Sequence, residues 1–255
     1  NTIAALEGIT ESGNDLTIIV KDSVVDVSKL DAIAAKTTGS VTVETTTISG
    51  KLADINSAIG KYSGVKNNSV IVTDAITTAE QKALDTLNNG QQTATISDNY
   101  LNQLADITDT NSKNHKLTIT VKGDDSTKPT ERTVGAKALK ALEAKTTTLL
   151  TVDADTLTSG ATDGDDIRDI VDLVNKNTPS SGSPTITGLS NIAVTVGGAK
   201  TYDKNTLARI NTIIEKAGVV TATLADAATV DGDNAKLDKL IAPSGGLKGT
   251  GNKIN

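Results

Sequence analysis

Hydrophobic and polar positions follow two rhythms that take turns along this chain. In short runs the aliphatic residues alternate with threonine or crowd together: Leu16-Thr-Ile-Ile-Val20, Ser69-Val-Ile-Val-Thr73, Leu117-Thr-Ile-Thr-Val121 and Ile192-Ala-Val-Thr-Val196. That is the rhythm of a strand. Each run leads to apolar residues three apart, in Leu30-Asp-Ala-Ile33, Leu84-Asp-Thr-Leu87, Leu139-Lys-Ala-Leu142 and Ile210-Asn-Thr-Ile213. That is one face of a helix. A second, threonine-rich strand and a second helix follow each time. Four such strand-helix-strand-helix repeats span roughly 15–65, 69–110, 116–177 and 191–242. Repetition at this scale predicts that neighbouring units share one continuous core.

Local signals place the boundaries. Residues 1–14 read as an orphan helix and lead-in, with Ile3, Leu6 and Ile9 on one side. Ser28 is the expected N-cap of the first long helix, Thr77 and Glu80 fit a capping box, and Asp98 is expected to cap the helix that follows it. Leu52, Ile55 and Ile59, then Leu101, Leu104 and Ile107, are predicted to face inward. The third repeat carries an insertion from Gly123 to Arg132. A Pro/Ser/Gly linker occupies 178–184 and reads as one long surface loop, because the same repeat resumes after it. Residues 243–255 read as a flexible, glycine-rich tail. The opening Asn1 to Thr10 has neither a charged start nor a long apolar stretch, so no signal peptide is expected within it.

Alternating strands and helices predict an α/β fold with parallel strands and right-handed crossovers. Three arrangements satisfy that rule: a solenoid, a doubly wound open sheet, and an eight-stranded barrel, for which 255 residues is an ordinary length. The strands favour the first. Sheets covered on both faces need strands apolar on both faces. Here Val41 and Val43 alternate with Thr42 and Glu44, and Leu117, Ile119 and Val121 with Thr118 and Thr120. The expectation is a solenoid-like array with helices on one side and a threonine-rich face on the other.

Composition narrows the class. The chain has no Phe, Trp, Met or Cys, and its only aromatics are Tyr62, Tyr100 and Tyr202. Aliphatic residues alone suit narrow, regular layers. Disulfides and thiol chemistry are excluded. The net charge of −6, without a basic cluster, disfavours nucleic acid. No apolar run is long enough to cross a membrane. The lack of sulfur and the wealth of Thr, Asn, Asp and Gly read as an extracellular or cell-surface protein.

Candidate chemistry is sparse. His115, the single histidine, stands between Lys113 and Lys116 and reads as a solvated loop residue rather than a general base. No nucleophile elbow and no phosphate-binding glycine loop occurs. The best candidate is metal: Asp163, Asp165 and Asp166 follow Asp153 and Asp155, and carboxylate-rich turns can supply several of the oxygens calcium takes. Asp231, Asp233 and Asn234 repeat the pattern more weakly. Aspartate at a helix start also caps the backbone, which is the plainer reading. Calcium is the one cofactor suggested.

The run from Leu30 to Ile55, echoed from Lys137 to Leu157, resembles the helix/strand repeats of very large cyanobacterial-type cell-surface proteins. That resemblance implies an extracellular, structural or adhesive role and carries over no catalytic residue. Glycine-aspartate nonapeptides are absent, unlike the calcium-binding toxin repeats. The chain is expected to be a non-enzymatic subunit or segment of a filament, surface layer or adhesin. Its expected partners are further copies of itself, joined head-to-tail through exposed repeat ends, and the cell surface or extracellular matrix. The alternatives are an eight-stranded barrel enzyme or carbohydrate-acting protein, and a module binding a ligand or ice through its threonine face.

Overall fold

The computed structural model describes residues 1–159, 164–177, 185–190, 192–195, 201–202, 204–217, 229–230 and 253–254. The elements run α1 (Ile3–Glu7), β1 (Ile18–Val20), β2 (Val24–Asp26), α2 (Val27–Ala34), β3 (Val41–Val43), β4 (Thr47–Gly50), α3 (Leu52–Lys61), β5 (Ser69–Ile76), α4 (Thr78–Leu87), β6 (Gln92–Ile96), α5 (Leu101–Leu104), β7 (Lys116–Val121), β8 (Thr133–Gly135) and α6 (Ala136–Glu143). They continue with β9 (Leu150–Val152), β10 (Thr156–Thr158), α7 (Gly164–Asn177), β11 (Ile186–Thr187), β12 (Ala193–Thr195), β13 (Thr201–Tyr202), α8 (Lys204–Ala217), β14 (Thr229–Val230) and β15 (Lys253–Ile254). The linker at 178–184 and most of the fourth repeat's second half lie outside the described residues. No described helix is long and apolar enough to cross a membrane.

The chain is a mixed α/β protein, and every strand pair among the described residues is parallel. It divides into two compact units. The first takes Asn1–Asp98, Asp106–Thr118 and Lys145–Thr147. Within it β1 pairs with β3, and β2, β4, β5, β6 and the first half of β7 pair in that order. The register is regular but for one irregularity in β5, between Ile71 and Ala75: Ile18 lies beside Val41, Val24 beside Thr47, Thr47 beside Ser69, Val70 beside Gln92 and Thr93 beside Lys116. The sequence separation between partners is therefore nearly constant from one pair to the next.

The second unit takes Asn99–Ala105, Ile119–Ala144 and Thr148–Asn255. The second half of β7 pairs with β9 and β9 with β11, while β8, β10 and β12 form one sheet and β13, β14 and β15 another. Thr133 lies beside Thr156, which repeats the step seen in the first unit. Ile119 lies beside Leu150, a longer step that contains the Gly123 to Arg132 insertion.

Burial follows the alternation read from the sequence. In β5, Val70 and Val72 are buried while Ile71 and Thr73 are exposed; in β6, Gln92, Ala94 and Ile96 face in. Helices add Leu52, Ile55 and Ala58 from α3, and Ala136, Leu139 and Leu142 from α6. Burying each such leucine or isoleucine contributes roughly 1.5–3 kcal/mol. Ala58 takes the inner place expected of Ile59, which is half-buried.

Several local expectations change. The stretch from Val41 to Ser49, which the sequence reads as one threonine-rich strand before Gly50, is two strands, because Thr45 folds back between them: its Oγ1 donates to Ser23 O and accepts from Thr47 N. Asp26, not Ser28, caps α2, and both the N–H and the hydroxyl of Ser28 donate to its carboxylate. Thr77 and Glu80 do form the capping box of α4. Asp98 does not cap its own helix. It accepts from Thr78 N, at the start of the preceding helix, α4. Asp74 does the same for Leu52 N and Asp22 for Ile3 N. Each of these aspartates points at the start of the preceding helix, whose unpaired N–H groups attract an anion.

Candidate functional site

Three further devices recur where helices end. Lys36 Nζ donates to Glu7 O at 2.7 Å and Ile9 O at 2.6 Å, at the end of α1 and just past it. Lys113 Nζ donates to Asp85 O and Asn88 O at the end of α4, and Lys145 Nζ to Ile107 O. A cation thus meets the orphaned carbonyls at a helix C-terminus or just beyond it. Thr37 and Thr146 come next. Thr37 Oγ1 accepts from Leu16 N and donates to Leu16 O; Thr146 Oγ1 does both to Leu117. Asn88 holds the matching place after α4, donating to Lys66 O and Asn68 O and accepting from Gly90 N. Glycine then lets the chain graze its neighbour. A Cβ on Gly90 would lie 2.0 Å from Asn68 O, and one on Gly64, at φ +90°, would lie 2.2 Å from Val43 O.

In the first unit these devices converge on a charged cluster. The Asp85 side chain, on α4, is fully buried, as is that of His115, and the Lys113 side chain is 7% exposed. Asp85 Oδ1 accepts from Lys113 Nζ at 2.8 Å and lies 2.8 Å from His115 Nε2; its Oδ2 accepts from Thr110 N at 2.9 Å. The tautomer follows from the other ring nitrogen. Gln92 N–H points at His115 Nδ1, 3.0 Å away, so Nδ1 is the acceptor and Nε2 carries the proton toward Asp85. Burial pushes the Asp85 carboxyl up, but Lys113, Thr110 and His115 outweigh it and hold it well below the usual carboxylate range. Gln81 completes the cluster, exchanging two hydrogen bonds with the main chain of Thr108.

His115 is therefore not the solvated loop residue expected of it. Both its nitrogens are engaged and none of its side chain is exposed. A general base needs a free lone pair within reach of a substrate, and this imidazole offers none. The cluster's work is to hold the 106–115 loop against α4. That loop needs holding: Asn111, Ser112 and Asn114 all have positive φ, and Asp109 accepts from the N–H groups of Lys113 and Asn114.

The acidic candidates fare differently. Asp163 lies outside the described residues, and Asp165 and Asp166 fall in the first turn of α7, where only their backbone is described. Asp231, Asp233 and Asn234 also lie outside. Asp153 and Asp155 both pair with Arg132. Among the described residues no three His, Cys, Asp or Glu side chains are grouped as a metal site would require. In the second unit a pocket of about 490 Å³ opens beside the start of α6, lined by Asp124, Ala136, Ala138, Ala141 and Ser159 among others. Burial pushes the Asp124 carboxyl up, although Gly135 N–H donates to it. Besides that engaged carboxylate the walls carry Gly135, the three alanines and the polar side chains of Lys137, Thr158 and Ser159.

No known protein family, curated protein or solved structure matches this chain.

The feature left open in the first unit is a sheet edge. Among the described residues β2 pairs on one side only, with β4, and Val24 within it is 50% exposed. Asp22 precedes it and Asp26 is its last residue, each carboxylate taken up by a backbone N–H, of Ile3 and Ser28.

Proposed function

We propose that this chain is a non-enzymatic structural protein of the cell exterior, a solenoid-like stack of short strand–helix turns that assembles with copies of itself. The observation that carries this reading is the register. Successive strands of the first unit are parallel and recur at a nearly constant interval, Val24 beside Thr47, Thr47 beside Ser69, Val70 beside Gln92 and Thr93 beside Lys116. Special residues repeatedly reach back along the chain: Lys36, Lys113 and Lys145 to an earlier helix end, Thr37, Asn88 and Thr146 to an earlier strand or the residues just before it, Gly64 and Gly90 to a close backbone approach, and Asp22, Asp74 and Asp98 to an earlier helix start. Such a stack grows by adding turns, and its ends stay receptive. Buried charge supports the same reading, because Lys113 offsets the charge of Asp85, His115 donates to the same oxygen, and all three are engaged with one another inside the unit. An aliphatic core without sulfur suits an oxidising exterior.

The test is assembly. Purified chain, followed by sedimentation velocity and negative-stain electron microscopy as its concentration rises, is expected to form extended chains of copies. Monomers at every concentration would overturn the reading.

A further inference from the structure

We propose that a pocket between α6, α7 and α8 of the second unit binds the carboxylate of a sugar acid through Arg168 and Arg209. This site does not rest on the self-assembling role argued above. The chain holds three arginines among its 25 basic residues, and two of the three line this one pocket. Its volume is about 390 Å³, it is open to solvent, and its walls are Lys140 of α6, Arg168, Asp169, Val171 and Asp172 of α7, and Arg209 of α8. That size falls in the lower part of the range of small-molecule sites, about 300–1,000 Å³. A guanidinium is a planar fork that meets a carboxylate with two parallel hydrogen bonds, which a lysine ammonium cannot do. Arg168 is exposed and Arg209 half-buried, so both can turn toward a ligand.

Charge selects the ligand. The lining carries three cations and two carboxylates, so it is positive by one charge in a chain whose net charge is −6. Lys140 Nζ donates to Asp169 Oδ1 at 2.8 Å and to Asp172 Oδ2 at 2.5 Å, and the two carboxylates hold its ammonium above the usual lysine range. Lysine is thus committed to the aspartates. One net positive charge suits a monoanion. A phosphate monoester carries about 1.5 to 2 negative charges at neutral pH, and would also face the two carboxylates. The aspartates choose the rest of the ligand. Carboxylate oxygens only accept hydrogen bonds, and each carboxylate has lone pairs beyond the one that Lys140 takes. Asp172 is half exposed, so it can accept from hydroxyl groups beside the bound carboxylate. Val171, half-buried between them, gives a ring's C–H face an apolar wall. A carboxylate ringed by hydroxyl groups is the chemistry of a uronic acid, whether free or as one unit of an acidic polysaccharide.

The experiment is calorimetric titration of the whole chain with galacturonate, with trigalacturonate, and with galactose as the neutral control, at about 0.05 M salt. Galacturonate is expected to bind the wild type at least about tenfold more tightly than galactose does, and to weaken toward 1 M salt. Arg168→Gln and Arg209→Gln each reduce the affinity by about tenfold. Arg209→Lys keeps the charge and loses the fork, so it weakens binding too, and it decides the matter if Arg209→Gln fails to fold. Lys116→Gln removes one charge from an exposed position on β7 in the first unit, and binds as the wild type does. Trigalacturonate that binds more tightly than the single sugar identifies the polymer as the source; equal affinities identify the free acid. A wild type that binds neither acid, or that binds galactose equally well, would overturn the site, as would arginine variants that bind like the wild type. None of these results bears on whether the chain assembles.

Discussion

Replacing Asp85 by asparagine tests how the first unit is held together. The carboxylate receives three donors: Lys113 Nζ at 2.8 Å, His115 Nε2–H at 2.8 Å and Thr110 N–H at 2.9 Å. Asparagine keeps the shape but has one acceptor oxygen. If that oxygen faces Lys113 and His115, the amide NH2 faces Thr110 N–H, donor against donor. If it faces Thr110, the NH2 meets a lysine and an imidazole N–H. Either way Lys113 loses its counter-charge while its side chain stays 7% exposed. Breaking one partner of a buried ion pair typically costs ~3–5 kcal/mol, far more than the pair contributes relative to an apolar replacement.

Urea unfolding gives the readout. The denaturant slope grows with chain size and for a chain of this length lies toward about 3 kcal/mol per molar, so the Asp85→Asn midpoint falls by about 1–2 M urea, and hydrogen exchange accelerates at the amides of the 106–115 loop. Lys61→Met provides the internal comparison. Its ammonium pairs with Asp31 at 2.7 Å, but both side chains are more than half exposed, and solvent screens such pairs so that they contribute little. The reasoning fails if Asp85→Asn costs no more than Lys61→Met.

Acid acts on the same group. Because the folded Asp85 carboxyl is depressed, its contribution is complete above the unfolded value of about 3.9 and is lost as pH falls toward the folded one; urea midpoints measured across that range decline for the wild type and flatten for Asp85→Asn. Thr77→Ala removes the hydroxyl that accepts from Glu80 N and donates to its carboxylate, and costs about 1 kcal/mol in the same assay. Gly90→Ala would force a methyl to within 2.0 Å of Asn68 O, so it costs about 3 kcal/mol or fails to fold. Gly60→Ala goes the other way: nothing lies within 4 Å of that Cβ in α3, and stability rises by roughly 0.5–1 kcal/mol.

What could be read in the sequence was whatever lies within one element. The period-two runs marked the strands, and Thr77 with Glu80 marked a cap, because the interacting groups sit within a single turn of helix. Asp98 misled for the complementary reason. Its place before Leu101 looks like a cap, but the N–H it accepts from belongs to Thr78. Lys36, Lys113 and Lys145 carry no mark of their role in the sequence, because the carbonyls they reach, of Glu7, Asp85 and Ile107, lie 29, 28 and 38 residues earlier. His115 had a usable signal that its lysine neighbours hid. It shares the parity of Leu117, Ile119 and Val121, all buried, so extending the alternation one step before β7 would have placed it inside. Gln92 has the same parity as Ala94 and Ile96 and is buried with them.

The composition finds its reason in these contacts. Leu16 and Leu117 are held by Thr37 and Thr146 through both main-chain groups, and Asn88 holds the carbonyl of Asn68, just before β5, in a similar way. A strand fixed on its neighbour by side chain–backbone bonds as well as by its ladder cannot slip by one residue without losing them together. Register is thereby set at three places along the chain without large side chains to wedge it. That leaves the inner face free to be small and aliphatic, and the outer positions of β5 and β6 free to carry Ile71, Thr73, Thr93 and Thr95 at little cost to stability. A chain built in this way keeps its specificity in its backbone contacts. The places where its sheets can still meet another molecule are the outer face and the strand edges, and of these only an edge offers a row of unpaired main-chain groups that demands a partner.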